Sequence, residues 1–215
     1  MKKSILVLSY SLLLLSTLFS CGKSGNYRQA VKNNDFEAAH EILDKMYDDF
    51  LDTYESNYDG VFGPDRPKIE KAAIKYAQAA SYVLCAEARY LISEDKENAL
   101  ERIAYLFNEV RIMGEPATSY YPDGVDDLQQ ECIKYTCYNQ TSIYNNQLCD
   151  VVLNLAIQNN NKQLAELALS YYRPNGVIME GIITGEGKVR WMYKDKEVAL
   201  EKYNKHFDEL DNSVK

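Results

Sequence analysis

From Asp35 onward the apolar residues fall at Ala39, Ile42, Leu43, Met46, Tyr47, Phe50, Leu51 and Tyr54, in steps of three and four with charged residues between them. That spacing lays one apolar stripe along a 3.6-residue helix and predicts an amphipathic helix packed by the stripe. The same steps recur at Ala99, Leu100, Ile103, Phe107 and Val110, and, with Lys202 interrupting, at Val198, Ala199, Tyr203 and Phe207. Two more helices are predicted between these, an alanine-rich one over about 68–92 and a long one over about 125–159 that ends in "LCDVVLNLAIQN". One stretch breaks the period. "VIMEGIITGEGKVRWMY", 177–193, has two β-rich runs around "TGEG" and predicts a β-hairpin.

The helix starts share a pattern. "DFEAA" (35–39), "DKENA" (95–99), "NKQLA" (161–165) and "DKEVA" (195–199) each read Asp/Asn-x-Glu/Gln-x-Ala or close to it. An Asp or Asn there accepts a hydrogen bond from a free first-turn N–H, an early acid favours the positive end of the helix, and the alanine lets another helix approach. The turns echo one another as well: "SYYPDGV" (119–125) and "SYYRPNGV" (170–177), with "NYDGVFGPDRP" (57–67) as a looser third. Proline and Asp/Asn-Gly make these turns. Cap, helix, aromatic turn and helix, with a period near 60 between the first two copies, predict an all-α fold of stacked helical hairpins carrying one short β-hairpin near the C-terminus. "NNDFEAAHEIL" resembles the second-helix start of a tetratricopeptide-type repeat, which implies a helical array; the spacings of 60 and 66 residues exceed that family's 34.

The N-terminus is of a different kind. Met1-Lys2-Lys3 precedes an apolar stretch from Ile5 to Phe19, too short for a bilayer that needs about 20 residues, and this describes a secretory signal. "LFSC" resembles a bacterial lipobox through Leu18, Ser20 and Cys21, with Phe19 a departure because a small residue is commoner there. The resemblance implies cleavage before Cys21 and a lipid on its sulfur. The domain plan is then a signal peptide (1–20), a lipidated tether (21–27) and a single helical repeat domain (28–211), with the hairpin at about 177–193. Removing residues 1–20, which carry two lysines and no acid, takes the formal charge from −8 to −10. So acidic a chain repels the phosphates of nucleic acid and of anionic lipid, so no nucleic-acid partner is expected and attachment rests on the lipid. The leash "GKSGNYRQ" lacks the acidic cluster that some lineages use to mark surface-exposed lipoproteins, which points to an outer membrane and its periplasmic face.

Chemistry-bearing motifs are sparse. Four cysteines remain after Cys21: Cys85, Cys132, Cys137 and Cys149. On one helix Cys132 and Cys149 would be ~25 Å apart, beyond the ~7 Å that a bridge spans. Buried free thiols are the expectation; a disulfide needs Cys85, or a helix break at "YNQTSIYNNQ". A zinc site lacks the CxxC spacing, and with two histidines in the chain no metal site and no cofactor are expected. "ESNYDG" (55–60) imitates the start of a calcium loop, but its twelfth position is Arg66, where a bidentate acid belongs. "TGEG" lacks the Gly-Lys-Ser/Thr of a phosphate loop, and His40 and His206 lie in helices without flanking chemistry. Asp44, Asp48, Asp52, Glu55 and Asp59 share one helical face, read as a solvated stripe.

The aromatic turns are the remaining surface. Tyr120, Tyr121, Tyr171, Tyr172, Trp191 and Tyr193 lie in or beside loops. Their flat apolar faces and polar tips suit sugar rings, peptides and protein anchors; the alternative is that they seal helix ends. The expected function is a membrane-tethered binding or scaffolding lipoprotein with a protein, peptide or glycan contact surface and no catalytic residues assigned. Two rivals stay open: a glycan-processing enzyme using two carboxylates ~5–9.5 Å apart, and a carbohydrate-binding component of an outer-membrane uptake system.

Overall fold

The computed structural model describes residues 26–58, 65–94, 98–109, 125–180 and 188–213. These form α1 (Tyr27–Lys32), α2 (Phe36–Tyr58), α3 (Arg66–Ser93), α4 (Ala99–Glu109), α5 (Val125–Gln158), α6 (Lys162–Ser170), β1 (Gly176–Glu180), β2 (Lys188–Met192) and α7 (Lys194–Ser213). The fold is predominantly helical. β1 and β2 pair antiparallel, from Gly176 opposite Met192 to Glu180 opposite Lys188. Among the described residues no helix is long and apolar enough to cross a membrane.

Two of the four Asp/Asn starts act as caps. Asp35 Oδ1 accepts from the Ala38 N–H at 3.1 Å, and Asn161 Oδ1 from the Leu164 N–H at 3.0 Å. Both caps close joints of the same design. Asn34 and Asn160, each just before its cap, have φ of 56° and 52°. The Asp35 N–H bonds the Ala30 carbonyl at 2.9 Å and the Asn161 N–H the Ala156 carbonyl at 2.8 Å, six-to-one closures that end α1 and α5 in Schellman turns. One residue thus ends a helix with its backbone and starts the next with its side chain. Asp95 lies outside the described residues. The fourth expected cap, Asp195, is corrected: α7 begins at Lys194, so Asp195 sits inside its first turn. Its N–H reaches Asn175 Oδ1 at 3.5 Å instead, and the acid is left free to serve a neighbour.

The apolar stripes become two cores on one shared helix. Ala39, Leu43, Met46 and Phe50 of α2 meet Ile69, Ala73, Tyr76 and Val83 of α3. From Leu84 onward α3 turns to a second core with Ile103, Leu106 and Phe107 of α4, Leu148, Val152 and Leu153 of α5, Leu164 and Ala168 of α6, and Phe207 of α7. Alanines at the crossings (Ala39, Ala73, Ala88, Ala156, Ala165 and Ala168 are closed to solvent) let the helices approach. Val198, expected on the apolar face of α7, is exposed because Ala199 and Phe207 carry that contact. α5 runs unbroken through "YNQTSIYNNQ". Cys85 and Cys149 are buried free thiols, and burial pushes both up, Cys149 well above the usual thiol range. The side chains of Cys132 and Cys137 lie outside the described residues.

Candidate functional site

The turn "SYYRPNGV" leaves the end of α6 and runs past α5 to the start of the strands. Two adjacent asparagines on α5 hold it. Asn145 and Asn146 are each 1 % exposed, where an unpaired amide would cost free energy. Asn145 Nδ2 donates to the Tyr171 carbonyl at 2.9 Å. Asn146 grips the Arg173 backbone on both sides of its Cα: its Oδ1 accepts from the Arg173 N–H at 2.9 Å and its Nδ2 donates to the Arg173 carbonyl at 3.0 Å. Nδ2 also donates to Asp195 Oδ2 at 3.0 Å, which ties the start of α7 to the same clamp.

The two tyrosines of the turn go inward. Tyr171 stacks on Phe107 of α4 with centroids 4.6 Å apart and planes 9° from parallel. Tyr172 is 3 % exposed, and its hydroxyl donates to Asp150 at 2.7 Å. Burial first, then that bond, pushes Tyr172 far above the usual tyrosine range. Tyr172 is buried at the end of α6 and Tyr171 is half-buried against α4, because the Asn145–Asn146 clamp draws their backbone against α5. The turn's next residue is the one that emerges: the Arg173 side chain is exposed, held in place only through its backbone.

Between the turn and α7 lies an open groove of about 530 Å³. Arg173 and Pro174 form one wall; Tyr193, Lys196, Glu197 and Leu200 form the other, with Tyr172 among the lining. Tyr193 is 43 % exposed and Leu200 38 %. The Lys196 ammonium stands 6.0 Å from the centre of the Tyr193 ring. The ion pairs among the described residues are His40–Glu87, Lys68–Asp65 and Arg102–Glu87, so neither Arg173 nor Lys196 has an acid partner there. The structure therefore brings Tyr172 and Tyr193 to one groove and sends Tyr171 elsewhere. The Trp191 backbone pairs with Val177, and its side chain lies outside the described residues, as do Cys21, Tyr120 and Tyr121. Arg173, Lys196, Asn145 and Asn146 escaped the sequence reading. The signal for the asparagines was there: paired asparagines in mid-helix are poor helix formers and need a tertiary reason.

A second cleft, between α3 and α5, differs in kind. Several of its polar groups are bonded to protein: Ser81 Oγ donates to Gln147 at 2.9 Å, and Asp150 accepts from Tyr172. The buried carboxylate of the described residues, Glu87 on α3, is structural too. It accepts from His40 Nε2 of α2 at 2.6 Å and from Arg102 Nε of α4 at 2.9 Å. Burial pushes this carboxyl up, but the bonds and charges of His40 and Arg102 outweigh it and hold Glu87 below its usual range. A glycosidase acid needs the opposite shift. His206 bonds Asn160 Oδ1 at 2.8 Å and lies edge-on to Phe207. The acids Asp44, Asp48, Asp52 and Glu55 are exposed along α2. Among the described residues no cluster of three or more His, Cys, Asp and Glu could hold a metal ion. Against known proteins, no family model, no curated protein and no solved structure matches the chain.

Proposed function

We propose that the chain is a lipoprotein anchored through Cys21 to a bacterial membrane, the outer membrane on its periplasmic face, and that it binds a partner there through the groove between the aromatic turn and α7. The observation that carries the binding reading is the groove itself: exposed Tyr193 and Leu200 stand beside Arg173 and Lys196, two cations that form no ion pair among the described residues. Polar groups that serve only the fold are paired within it, as Glu87 and Asn146 are. The repeated Asn-Asn-Asp/Asn joint supports reading the domain as stacked helical hairpins of the tetratricopeptide kind, built from like units. The lipobox resemblance at "LFSC" supports the tether.

The test has two arms. Cells fed an alkyne-bearing palmitate should label the wild-type chain, and Cys21→Ala should abolish the label and release the protein or leave an uncut precursor. Continued labelling of that variant refutes the anchor. For binding, cross-linked partners are recovered from native membranes with wild type, Tyr193→Ala and Trp191→Ala. Loss of the partner at unchanged melting temperature supports a contact face that includes the substituted aromatic. Unchanged recovery with both variants refutes it.

A further inference from the structure

We infer that the groove receives an acidic peptide segment of a partner protein, with Arg173 and Lys196 as the anchors for its carboxylates. The inference rests on reading this groove as a binding surface, and goes further by naming what fills it. Three features point there. The first is charge: the lining carries Arg173 and Lys196 against the single acid Glu197, in a chain where Asp and Glu outnumber Lys and Arg by 32 to 24. A net positive lining on an acidic protein is a local arrangement against the global balance. The general repulsion of an acidic ligand does not cancel it, because at 0.1 M salt charges farther than about 10 Å are screened, whereas the two cations act at contact.

The second is pre-organisation. Arg173 projects from backbone fixed at both its N–H and its C=O by a buried amide, and that amide also bonds the carboxylate of Asp195, one residue before Lys196. Arg173 therefore issues from backbone held by Asn146, and Lys196 follows the residue whose carboxylate the same amide bonds. Little of the ordering cost of a flexible loop is left for binding. The third is the apolar part of the lining. Pro174 and Leu200 offer aliphatic contact, and Lys196 stands at the Tyr193 ring, the place a stacked sugar would need. An extended peptide that alternates carboxylate and aliphatic side chains meets these groups; a pyranose has to displace the lysine.

The probe is a capped, fluorescent hexapeptide alternating glutamate and leucine, titrated by anisotropy into the full-length protein in neutral detergent. Its glutamine and lysine counterparts and a galacturonate oligomer are run in parallel. Wild type should bind the glutamate peptide at least tenfold more tightly than the glutamine one, and bind the lysine one more weakly still. Arg173→Gln and Lys196→Gln should each cost about tenfold for the glutamate peptide, without effect on the glutamine peptide or on the melting temperature. Lys196→Arg should restore most of the loss. Equal affinity for the three peptides, or indifference to both glutamine substitutions, overturns the assignment. So does a galacturonate oligomer that outcompetes the peptide with the same dependence on Arg173 and Lys196. Self-association of the protein that the peptide displaces makes a second copy the occupant and equally overturns it. Failure of the binding reading is separately visible: Tyr193→Ala would then change neither peptide affinity nor partner recovery from membranes.

Discussion

Each polar atom of the Asn146 amide is engaged: Nδ2 donates to the Arg173 carbonyl and to Asp195, and Oδ1 accepts from the Arg173 N–H and from Asn145. Asn146→Asp keeps the shape and removes both donors. It buries a carboxylate facing the Asp195 carboxylate and the Arg173 carbonyl oxygen, both of which repel it. Urea denaturation should show a loss of about 3 kcal/mol, within the range for breaking a buried charged or bonded group. Asn146→Ser should lose less, and a loss below 0.5 kcal/mol for the aspartate variant would mean that the clamp is dispensable. Glu87 makes a prediction in pH. Its carboxyl is held below the ordinary value of about 4.3, so it binds fewer protons folded than unfolded. The stability it contributes is present above that ordinary value and is lost as pH falls through the lower, folded value. Glu87→Gln should therefore be less stable than wild type at pH 6, and the gap between their melting temperatures should narrow as pH falls below about 4.3. A gap that is constant with pH would show that His40 and Arg102 do not act on the charged form.

At the scale of elements, the two joints follow one design. Asn34 and Asn160 occupy the left-handed region in which asparagine is tolerated and most residues are strained. Asn34→Ala and Asn160→Ala should each lower stability by about 1 kcal/mol, whereas glycine at either position should be neutral or slightly stabilising. Asn160 has more to lose, because its Oδ1 also accepts from His206 Nε2 of α7, and its glycine variant should give back part of the gain. Equal tolerance of alanine and glycine at both joints, measured by thermal denaturation, would refute the turn geometry. The four Asp/Asn starts look alike in sequence, yet Asp195 is no cap, because Asn175 of the aromatic turn arrives at the first turn of α7. Local chemistry allows an acid to cap; which neighbour arrives first is a matter of tertiary packing.

At the scale of the molecule, α3 belongs to both cores: Val83 packs with α2 and Leu84 with α4, α5 and α6. Glu87 adds polar ties from the same helix to α2 and α4. Neither core can open without freeing one side of α3, so unfolding should be a single cooperative transition. Phe50→Ala in the first core and Leu153→Ala in the second should cost about 3–5 and 2–5 kcal/mol, and each should lower the midpoint for the whole chain. Far-UV and near-UV circular dichroism should then give coincident curves. Two separated transitions, with Phe50→Ala moving only one, would show that the cores fold apart.

Legible in the sequence alone were the helices from Phe36 to Tyr58, Arg66 to Ser93 and Val125 to Gln158, the buried stripe of the first, and the caps at Asp35 and Asn161. Periodicity and capping act within a few residues, so a linear reading contains them. The rest was set by how the helices pack. Tyr172 and Tyr193 look equivalent as turn aromatics, and one is 3 % exposed and the other 43 %. The groove depends on Asn146 and Arg173, 27 residues apart, and the polar centre on His40 and Glu87, 47 apart. Contacts at such separations leave no period in the chain, because which side chain meets which is set by how the helices cross.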